Sequence, residues 1–344
     1  MAILDLSAAG DQPVKSPSGK YHIVFNGEIY NYKELREELQ GQYHFRTASD
    51  TEVLLAAFIL WGKDCLQHLN GMFSFAIWDS KEKKLFAARD RFGVKPFHYS
   101  LEADSFFFSS EIKALQVVLE RDQPNKKVWA NYFSYGSYGA PDETFFEKIQ
   151  QLPGGHLLEF QEGKLNIKPW YDFVGRVNSM HTGHTFKAAK EIYLELLEDS
   201  LNLRFRADVP VGFNISGGVD SSLLLALVNK TEDHKNINAY TFYTGDAGYD
   251  ELPWVEQMVA LTENPLTRVR LTTEEIPELA AKIASFQDEP FGGLPTLAYS
   301  KIFEQAQRDG VKVLLDGQGM DEQWAGYDYY LSGAEKGSET SIPH

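Results

Sequence analysis

The stretch Phe213-Asn214-Ile215-Ser216-Gly217-Gly218-Val219-Asp220-Ser221-Ser222 constrains this chain more than any other. It follows the apolar run Val209 to Phe213 and precedes another, Leu223 to Val228. Apolar run, glycine-rich turn and apolar run read as strand, loop and helix. Two glycines ahead of a helix N-terminus direct backbone N–H groups at one spot, which makes an anion site. Ser216, Ser221 and Ser222 add hydroxyl donors. Asp220 puts a carboxylate beside the anion, which makes chemical sense if a divalent cation joins them. The competing reading is an ordinary Ser/Gly turn with a serine or the aspartate capping the helix. The acid set between glycines and serines favours the anion site.

No lysine sits at this turn, so it is not the lysine-bearing phosphate loop of the Gly-Lys-Ser/Thr type. The string resembles the Ser-Gly-Gly-x-Asp-Ser loop of ATP pyrophosphatases. That resemblance implies cleavage of ATP between its α and β phosphates, adenylation of a carboxylate or carbonyl oxygen, and attack by ammonia on the activated acceptor.

A chain of 344 residues with 43% hydrophobic content is long and apolar enough for two domains with cores of their own. Its 49 acids against 33 bases give a net charge of −16, which argues against nonspecific binding of nucleic acid or of anionic membranes. A local basic pocket for a nucleotide remains compatible with that charge. One cysteine, Cys65, forbids an internal disulfide and suits a reducing cytoplasm. Met1 to Leu6 carries no basic stretch of the kind that opens a signal peptide, and the apolar run Val53 to Trp61 is too short to span a bilayer.

The first half is rich in strand signals. Tyr21 to Phe25 reads as a strand with Asn26-Gly27 as its turn. Lys33 to Leu39 and Glu52 to Trp61 read as helices, the second stopped by Gly62. Phe73 to Trp78, turned by Asp79-Ser80, and Lys84 to Ala88 read as a hairpin, and Ser105 to Ser109 as a further strand. Many strands with few helices predict antiparallel sheets. From about Lys187 the character changes. Helices at Ala188–Leu203, 223–230, Leu252–Leu261, Ile276–Ser285 and Leu297–Arg308 alternate with strands near 209–215, Ala239–Thr244, Thr267–Leu271 and Val311–Leu315. That alternation predicts a parallel α/β sheet, with ligands beyond the C-terminal ends of its strands. The boundary is expected between Trp170 and His184, where Asn178-Ser179 and Thr182-Gly183 read as linker, giving domains 1–175 and 185–344.

A second loop, Leu315-Asp316-Gly317-Gln318-Gly319-Met320-Asp321-Glu322, also follows a strand and holds two glycines. Alone it reads as a turn in which Asp321 or Asp316 caps a helix. Paired with the first loop, Asp321 becomes a second candidate cation ligand, and Mg²⁺ at a nucleotide takes one or two carboxylates.

Further motifs join these two loops. They are Phe25-Asn26-Gly27-Glu28-Ile29-Tyr30-Asn31, Ser49-Asp50-Thr51-Glu52, Gly71-Met72-Phe73-Ser74-Phe75-Ala76 and Arg89-Asp90-Arg91-Phe92-Gly93-Val94-Lys95-Pro96. Together they run through nearly the whole chain, which resembles the glutamine-hydrolysing asparagine synthetases, class II glutamine amidotransferases. The resemblance implies a sandwich of two antiparallel sheets of the N-terminal nucleophile type, which releases ammonia from glutamine. A parallel-sheet ATP pyrophosphatase domain follows. There ATP and Mg²⁺ convert aspartate to its β-aspartyl adenylate, and ammonia displaces AMP. By position, Asn26 and Gly27 would form the oxyanion hole, and Glu28 and Asp50 would hold the α-amino group of glutamine. Ser216, Gly217, Gly218, Asp220, Ser221 and Ser222 would hold the phosphates. Ile215, Thr244, Asp316 and Gly317 would line the AMP site, with Mg²⁺ on Asp220 and Asp321. Arg89 and Arg91 would be structural. The substrates implied are small molecules, and the resemblance leaves room for a homodimer.

The chain also departs from the family pattern. The family's glutaminase nucleophile is an N-terminal cysteine, whereas Ala2 stands second here, and Cys65 lies at the end of an apolar helical region. A missing N-terminal segment is the simplest account, and the chain as given is expected to lack glutaminase activity. The family also continues beyond Tyr327 into a helical region that this sequence does not contain. Asp316 stands where serine is common, and Gln318 where an acid is common. Gln318 cannot act as a base, which mildly favours a relative that amidates another carboxylate, such as a glycan uronic acid or a β-amino acid. A nucleotide-binding protein without glutaminase activity is a third reading. The retained set Asn26, Gly27, Glu28 and Asp50 counts against it.

Overall fold

The computed structural model describes residues 3–119, 122–180, 183–230, 237–324 and 326–327, and the chain divides into two units, Met1–Ala189 and Lys190–His344. The strands of the first unit are β1 (Val14–Lys15), β2 (Tyr21–Ile29), β3 (Gly71–Asp79), β4 (Lys84–Arg89), β5 (His98–Glu102), β6 (Ser105–Ser109), β7 (Gln150–Gln151), β8 (His156–Gln161) and β9 (Lys164–Pro169). They form an antiparallel six-stranded sheet, β1-β2-β3-β4-β8-β9, and an antiparallel three-stranded sheet, β6-β5-β7.

Side chains alternate across a strand, so β3 can face two cores at once. Phe73, Phe75 and Ile77 pack with Ile23, Phe25 and Ile29 of β2 in a core that includes helices α1 (Tyr32–Leu39), α2 (Asp50–Trp61) and α3 (Cys65–His68). Ala76 points the other way and packs with Phe97, Tyr99 and Leu152 between the two sheets. The short helix α4 (Ile112–Gln116) supplies Ile112 and Leu115 to a third cluster, against Phe107 of β6. The result is the expected sandwich of antiparallel sheets between helices. Cys65 is buried in α3, and burial pushes its thiol up to about 12, so it is an inert core residue.

Two local expectations are overturned. Asn26-Gly27 is not a turn, because β2 runs through both residues to Ile29. A Cβ at Gly27 would stand 2.2 Å from the Met72 carbonyl oxygen and 2.7 Å from Phe73 Cα. The glycine therefore serves close approach of β2 to β3 rather than reversal of the chain. Gly71 on β3 makes the reciprocal contact, its missing Cβ falling 2.2 Å from the Glu28 carbonyl oxygen. Asn178-Ser179 are also not irregular chain. They end helix α6 (Phe173–Ser179), which follows α5 (Lys126–Tyr135) and is started by Asp172, whose carboxylate accepts the Gly175 N–H at 2.9 Å. Thr182 lies outside the described residues.

The second unit starts within helix α7 (Phe186–Arg204). Its elements are β10 (Val211–Asn214), α8 (Val219–Val228), β11 (Ala239–Tyr243), α9 (Leu252–Thr262), β12 (Leu266–Arg270), α10 (Ile276–Gln287), α11 (Leu294–Arg308), β13 (Val313–Leu315) and α12 (Met320–Trp324). All strand pairings are parallel, in the order β12-β11-β10-β13. One core joins Phe213 and Ile215 to Leu224, Leu225, Val255 and Leu201, and another joins Tyr240 and Val269 to Ile302 and Ala306 of α11. Helices therefore cover both faces. From β10 the order runs outward through β11 and β12 on one side and reaches β13 on the other. The crevice between β10 and β13 is thus the switch point where open α/β sheets bind ligands. Among the described residues no helix is long and apolar enough to cross a membrane.

Gly27→Ala is expected to destabilise the protein by about 3 kcal/mol through backbone overpacking. Urea denaturation of the variant checks this, and an unchanged midpoint would contradict the close-approach role.

Candidate functional site

In the first unit two of the four candidate residues, Gly27 and Asp50, meet where β2 passes the start of α2. Ser49 caps α2 by accepting the Thr51 N–H at 3.1 Å, which frees Asp50 from that task. Asp50 is 5% exposed, and its Oδ2 accepts the Ile29 N–H of β2 at 2.9 Å. Burial pushes its carboxyl up to about 6, against hydrogen bonds from Ile29 and Thr51 that pull it down. Gly27 and Asp50 line one small cleft of about 30 Å³, together with Ile3, Leu4 and Gln12. Asn26 lies one step along the strand and borders a different cavity of about 180 Å³ between the sheets, with its Nδ2 donating to Ser110 Oγ at 3.1 Å.

Glu28 is buried at 3% exposure. Lys95 lies close enough that Glu28 and Asp90 partly offset the lowering of its proton affinity by burial. Gln12 was not anticipated from sequence. Its side-chain amide pairs with the Phe25 main chain in both directions, at 2.9 and 2.6 Å, and it borders both cavities. Arg89 donates to the carbonyls of Lys95, Gly93 and Leu152, and Arg91 to that of Leu69, so both guanidinium groups are tied to main-chain oxygens.

In the second unit one open cleft of about 490 Å³ lies beyond β10 and β13. Ser216, Asp220, Ser221, Asp316, Gly317 and Asp321 all line it, so the two loops converge. Asn214, Tyr299, Gln318 and Glu322 line it as well. Ile215, Gly217, Gly218, Ser222 and Thr244 do not border it. Ile215 is a core residue at 1% exposure, and its N–H donates to the Tyr240 carbonyl at 2.8 Å. Both the N–H and the hydroxyl of Thr244 donate to Asp250 Oδ1, at 2.6 and 2.8 Å.

The first loop closes on itself. Ser221 Oγ accepts the Ser216 N–H at 3.1 Å and lies 3.0 Å from Ser216 Oγ. This closure starts α8 at Val219, earlier than the sequence suggests, with Gly218 as its N-cap. The first-turn amides of α8 thereby point out of the helix beside the cleft. Asp220 has a raised carboxyl pKa, first because of burial and then because Asp321 and Glu322 repel its charge. Acids close enough to repel one another fit a divalent cation, which would relieve that repulsion. Among the described residues no group of three or more His, Cys, Asp or Glu side chains is placed to hold a metal ion. Burial also raises the Asp316 carboxyl, while the Gln318 N–H it accepts at 3.1 Å opposes this. Sequence reasoning missed Tyr299, because one tyrosine in a helix of mixed composition carries no signal of a site.

Comparison with known proteins accords with this two-part architecture. The family described as glutamine amidotransferase domain matches residues 1–171, and the family described as asparagine synthase matches residues 193–341. A Methanocaldococcus jannaschii relative that carries the name asparagine synthetase (glutamine-hydrolysing) 2 is 34% identical over 351 residues, covering 97% of this chain and 67% of its own. Asparagine synthetase (glutamine-hydrolysing) 3 of Bacillus subtilis is 31% identical, covering 96% of this chain and 56% of its own. Amidase chyE of Penicillium rubens is 26% identical over 96% of this chain and 51% of its own. An amidotransferase unit is thus joined to an asparagine synthase unit in one polypeptide. The chain belongs to the glutamine-hydrolysing asparagine synthetase family, and it spans between about half and two-thirds of the length of these relatives.

The raised Asp50 pKa has a thermodynamic consequence. A native pKa of about 6, above the ordinary aspartate value of 3.8, means that the folded protein holds this proton more tightly than the unfolded chain. The associated stability is fully present below about pH 4 and is lost as pH rises through 6. Asp50→Asn keeps an oxygen for the Ile29 N–H and removes the buried charge. Relative to the parent, this variant should therefore be more stable at pH 8 than at pH 4, by about 2 kcal/mol. Chemical denaturation at the two pH values measures the difference, and a difference of zero would mean that Asp50 is not strained by burial.

Proposed function

We propose that the protein amidates a carboxylate at the expense of ATP, with ammonia drawn from glutamine and with aspartate as the acceptor, yielding asparagine, AMP and pyrophosphate. The observation that carries this reading is the convergence of Ser216, Asp220 and Ser221 from one loop with Asp316, Gly317 and Asp321 from the other in a single cleft. Family membership and the names of the asparagine synthetases of similar sequence support it. In the second unit the Ser216 and Ser221 hydroxyls and the first-turn amides of α8 hold the polyphosphate. Asp220 and Asp321 hold Mg²⁺, which when bound supplies positive charge to the phosphate oxygens. The aspartate carboxylate attacks the α-phosphorus and pyrophosphate leaves. Ammonia then attacks the activated carbonyl carbon, AMP departs with the bonding pair, and the nitrogen loses a proton to give the amide.

In the first unit the Gly27 N–H would donate to the oxyanion formed when a nucleophile adds to the glutamine amide, and the Asn26 side-chain amide, which borders the neighbouring cavity, would leave Ser110 Oγ to supply the second donor. Glu28 and Asp50 receive the α-ammonium. Asp50 does so in its charged form, so glutamine affinity weakens as pH falls below about 6. A second acceptor class, such as a uronic acid or a β-amino acid, is favoured by one feature of the cleft. Gln318 lines it where a carboxylate base would serve, and the relative named amidase chyE shows that similar sequences carry other names.

The full-length protein should release pyrophosphate from ATP with Mg²⁺, ammonium and aspartate. Asp220→Ala should slow that release about 100-fold or more, because a metal ligand beside the leaving group is lost. Unchanged release in the variant would refute the site assignment. Faster release with uronic acids than with aspartate would move the acceptor to the second class.

A further inference from the structure

Two carboxylates at the start of α9 hold the two loops that flank β10 and β11. Asp250 Oδ1 accepts the Thr244 N–H at 2.6 Å and the Thr244 hydroxyl at 2.8 Å, and its Oδ2 accepts the Gly245 N–H at 2.7 Å. These bonds fix the loop that leaves β11. The next residue, Glu251, reaches the other way, and its Oε2 accepts the Gly217 N–H of the loop that leaves β10 at 3.0 Å. The backbone is equally close, since a Cβ on Gly217 would lie 2.9 Å from Glu251 Cβ and 3.1 Å from Trp254 Cβ.

The pair is itself anchored. The Glu251 carbonyl accepts the Trp254 and Val255 N–H groups at 3.0 and 3.2 Å, and Val255 is fully buried beside Phe213 and Leu225. Asp250 keeps its charge: burial is the largest single influence and raises its pKa, but the bonds from Thr244 and Gly245, with help from Arg270, outweigh it. A bond to a charged acceptor is stronger than a neutral one, so each loop is held by a stiff contact.

We propose that Asp250 and Glu251 form a two-carboxylate clamp that sets the loop after β10 and the loop after β11 in the shape that receives the nucleotide. Both are positioning residues, and neither touches a reacting atom. With the Gly217 N–H engaged by Glu251, phosphate recognition falls to the serine hydroxyls and to the amides at the start of α8. Asp250 likewise uses the Thr244 N–H and hydroxyl, so Thr244 serves the loop's shape rather than direct binding. This inference rests on the nucleotide reading of the cleft.

The test measures Mg-ATP affinity by calorimetry, KM and kcat for pyrophosphate release, and the melting temperature. It compares the full-length protein with Glu251→Ala, Glu251→Gln and Asp250→Asn. Glu251→Gln keeps an acceptor oxygen at the same reach and should stay within about threefold of the parent in Kd and KM. Glu251→Ala should weaken both by about tenfold with kcat and melting temperature nearly unchanged, the size expected for one lost hydrogen bond to a charged group. Asp250→Asn places an amide N–H against a loop N–H and should weaken both similarly. Unchanged Kd in all three variants would overturn the clamp, as would a fall in melting temperature with unchanged KM, the mark of a purely structural contact. A parent protein that fails to bind Mg-ATP would overturn the nucleotide reading and the clamp with it. A parent that binds while the variants match it overturns the clamp alone.

Discussion

Three parallel backbone pairings hold the second unit's site together: Val211 with Val313, Gly212 with Leu314 and Phe213 with Leu315. They bring the end of β10 beside the end of β13 although the two strands lie far apart in the sequence. Everything the cleft contains follows from that adjacency, because each strand releases its glycine-rich loop at the same edge of the sheet. Gly212 makes the register tight. A Cβ there would meet Leu314, Tyr240 and Val311 side chains at 2.9 to 3.1 Å. The strand order reverses direction at this pairing, which is where an open α/β sheet leaves a crevice for ligands.

Charge then distinguishes the two units. The cleft of the second unit gathers Asp220, Asp316, Asp321 and Glu322 around hydroxyls and helix-start amides. An anion alone would be repelled by such a lining, and a cation alone would have no use for the amides. A polyphosphate with its cation satisfies both sets. The first unit instead buries single carboxylates, Asp50 against the Ile29 N–H and Glu28 near Lys95. Asp50 and Glu28 are each at most 5% exposed, and a buried carboxylate of that kind fits an ammonium ligand better than a phosphate.

Much of this was legible in the sequence. The change from strand-rich to alternating patterning marked two architectures, and the two loops announced themselves by glycines and acids after apolar runs. What failed did so for physical reasons. Asn26-Gly27 has the composition of a turn, but at Gly27 the missing side chain admits the backbone of β3, a tertiary demand that no local pattern reveals. Asn178-Ser179 looks like linker, yet Asp172 caps a helix that carries through both. Strands β8 and β9 were not foreseen, although they complete the six-stranded sheet. The resemblance assigns Thr244 to the nucleotide site, and its N–H and hydroxyl are bonded to Asp250. Asp250 and Glu251 escaped notice because two acids before a helix are read as ordinary first-turn residues, and only their opposite reach shows what they do.

The central claim is that the cleft between the two loops supports cleavage of ATP at the bond between its α and β phosphates. The most direct measurement is ³¹P NMR of the products formed by the full-length protein from ATP, Mg²⁺, ammonium and an acceptor carboxylate. AMP and pyrophosphate, appearing in equal amounts and only with the acceptor present, are the products expected. ADP and orthophosphate would place the cleavage one bond further out and contradict the account.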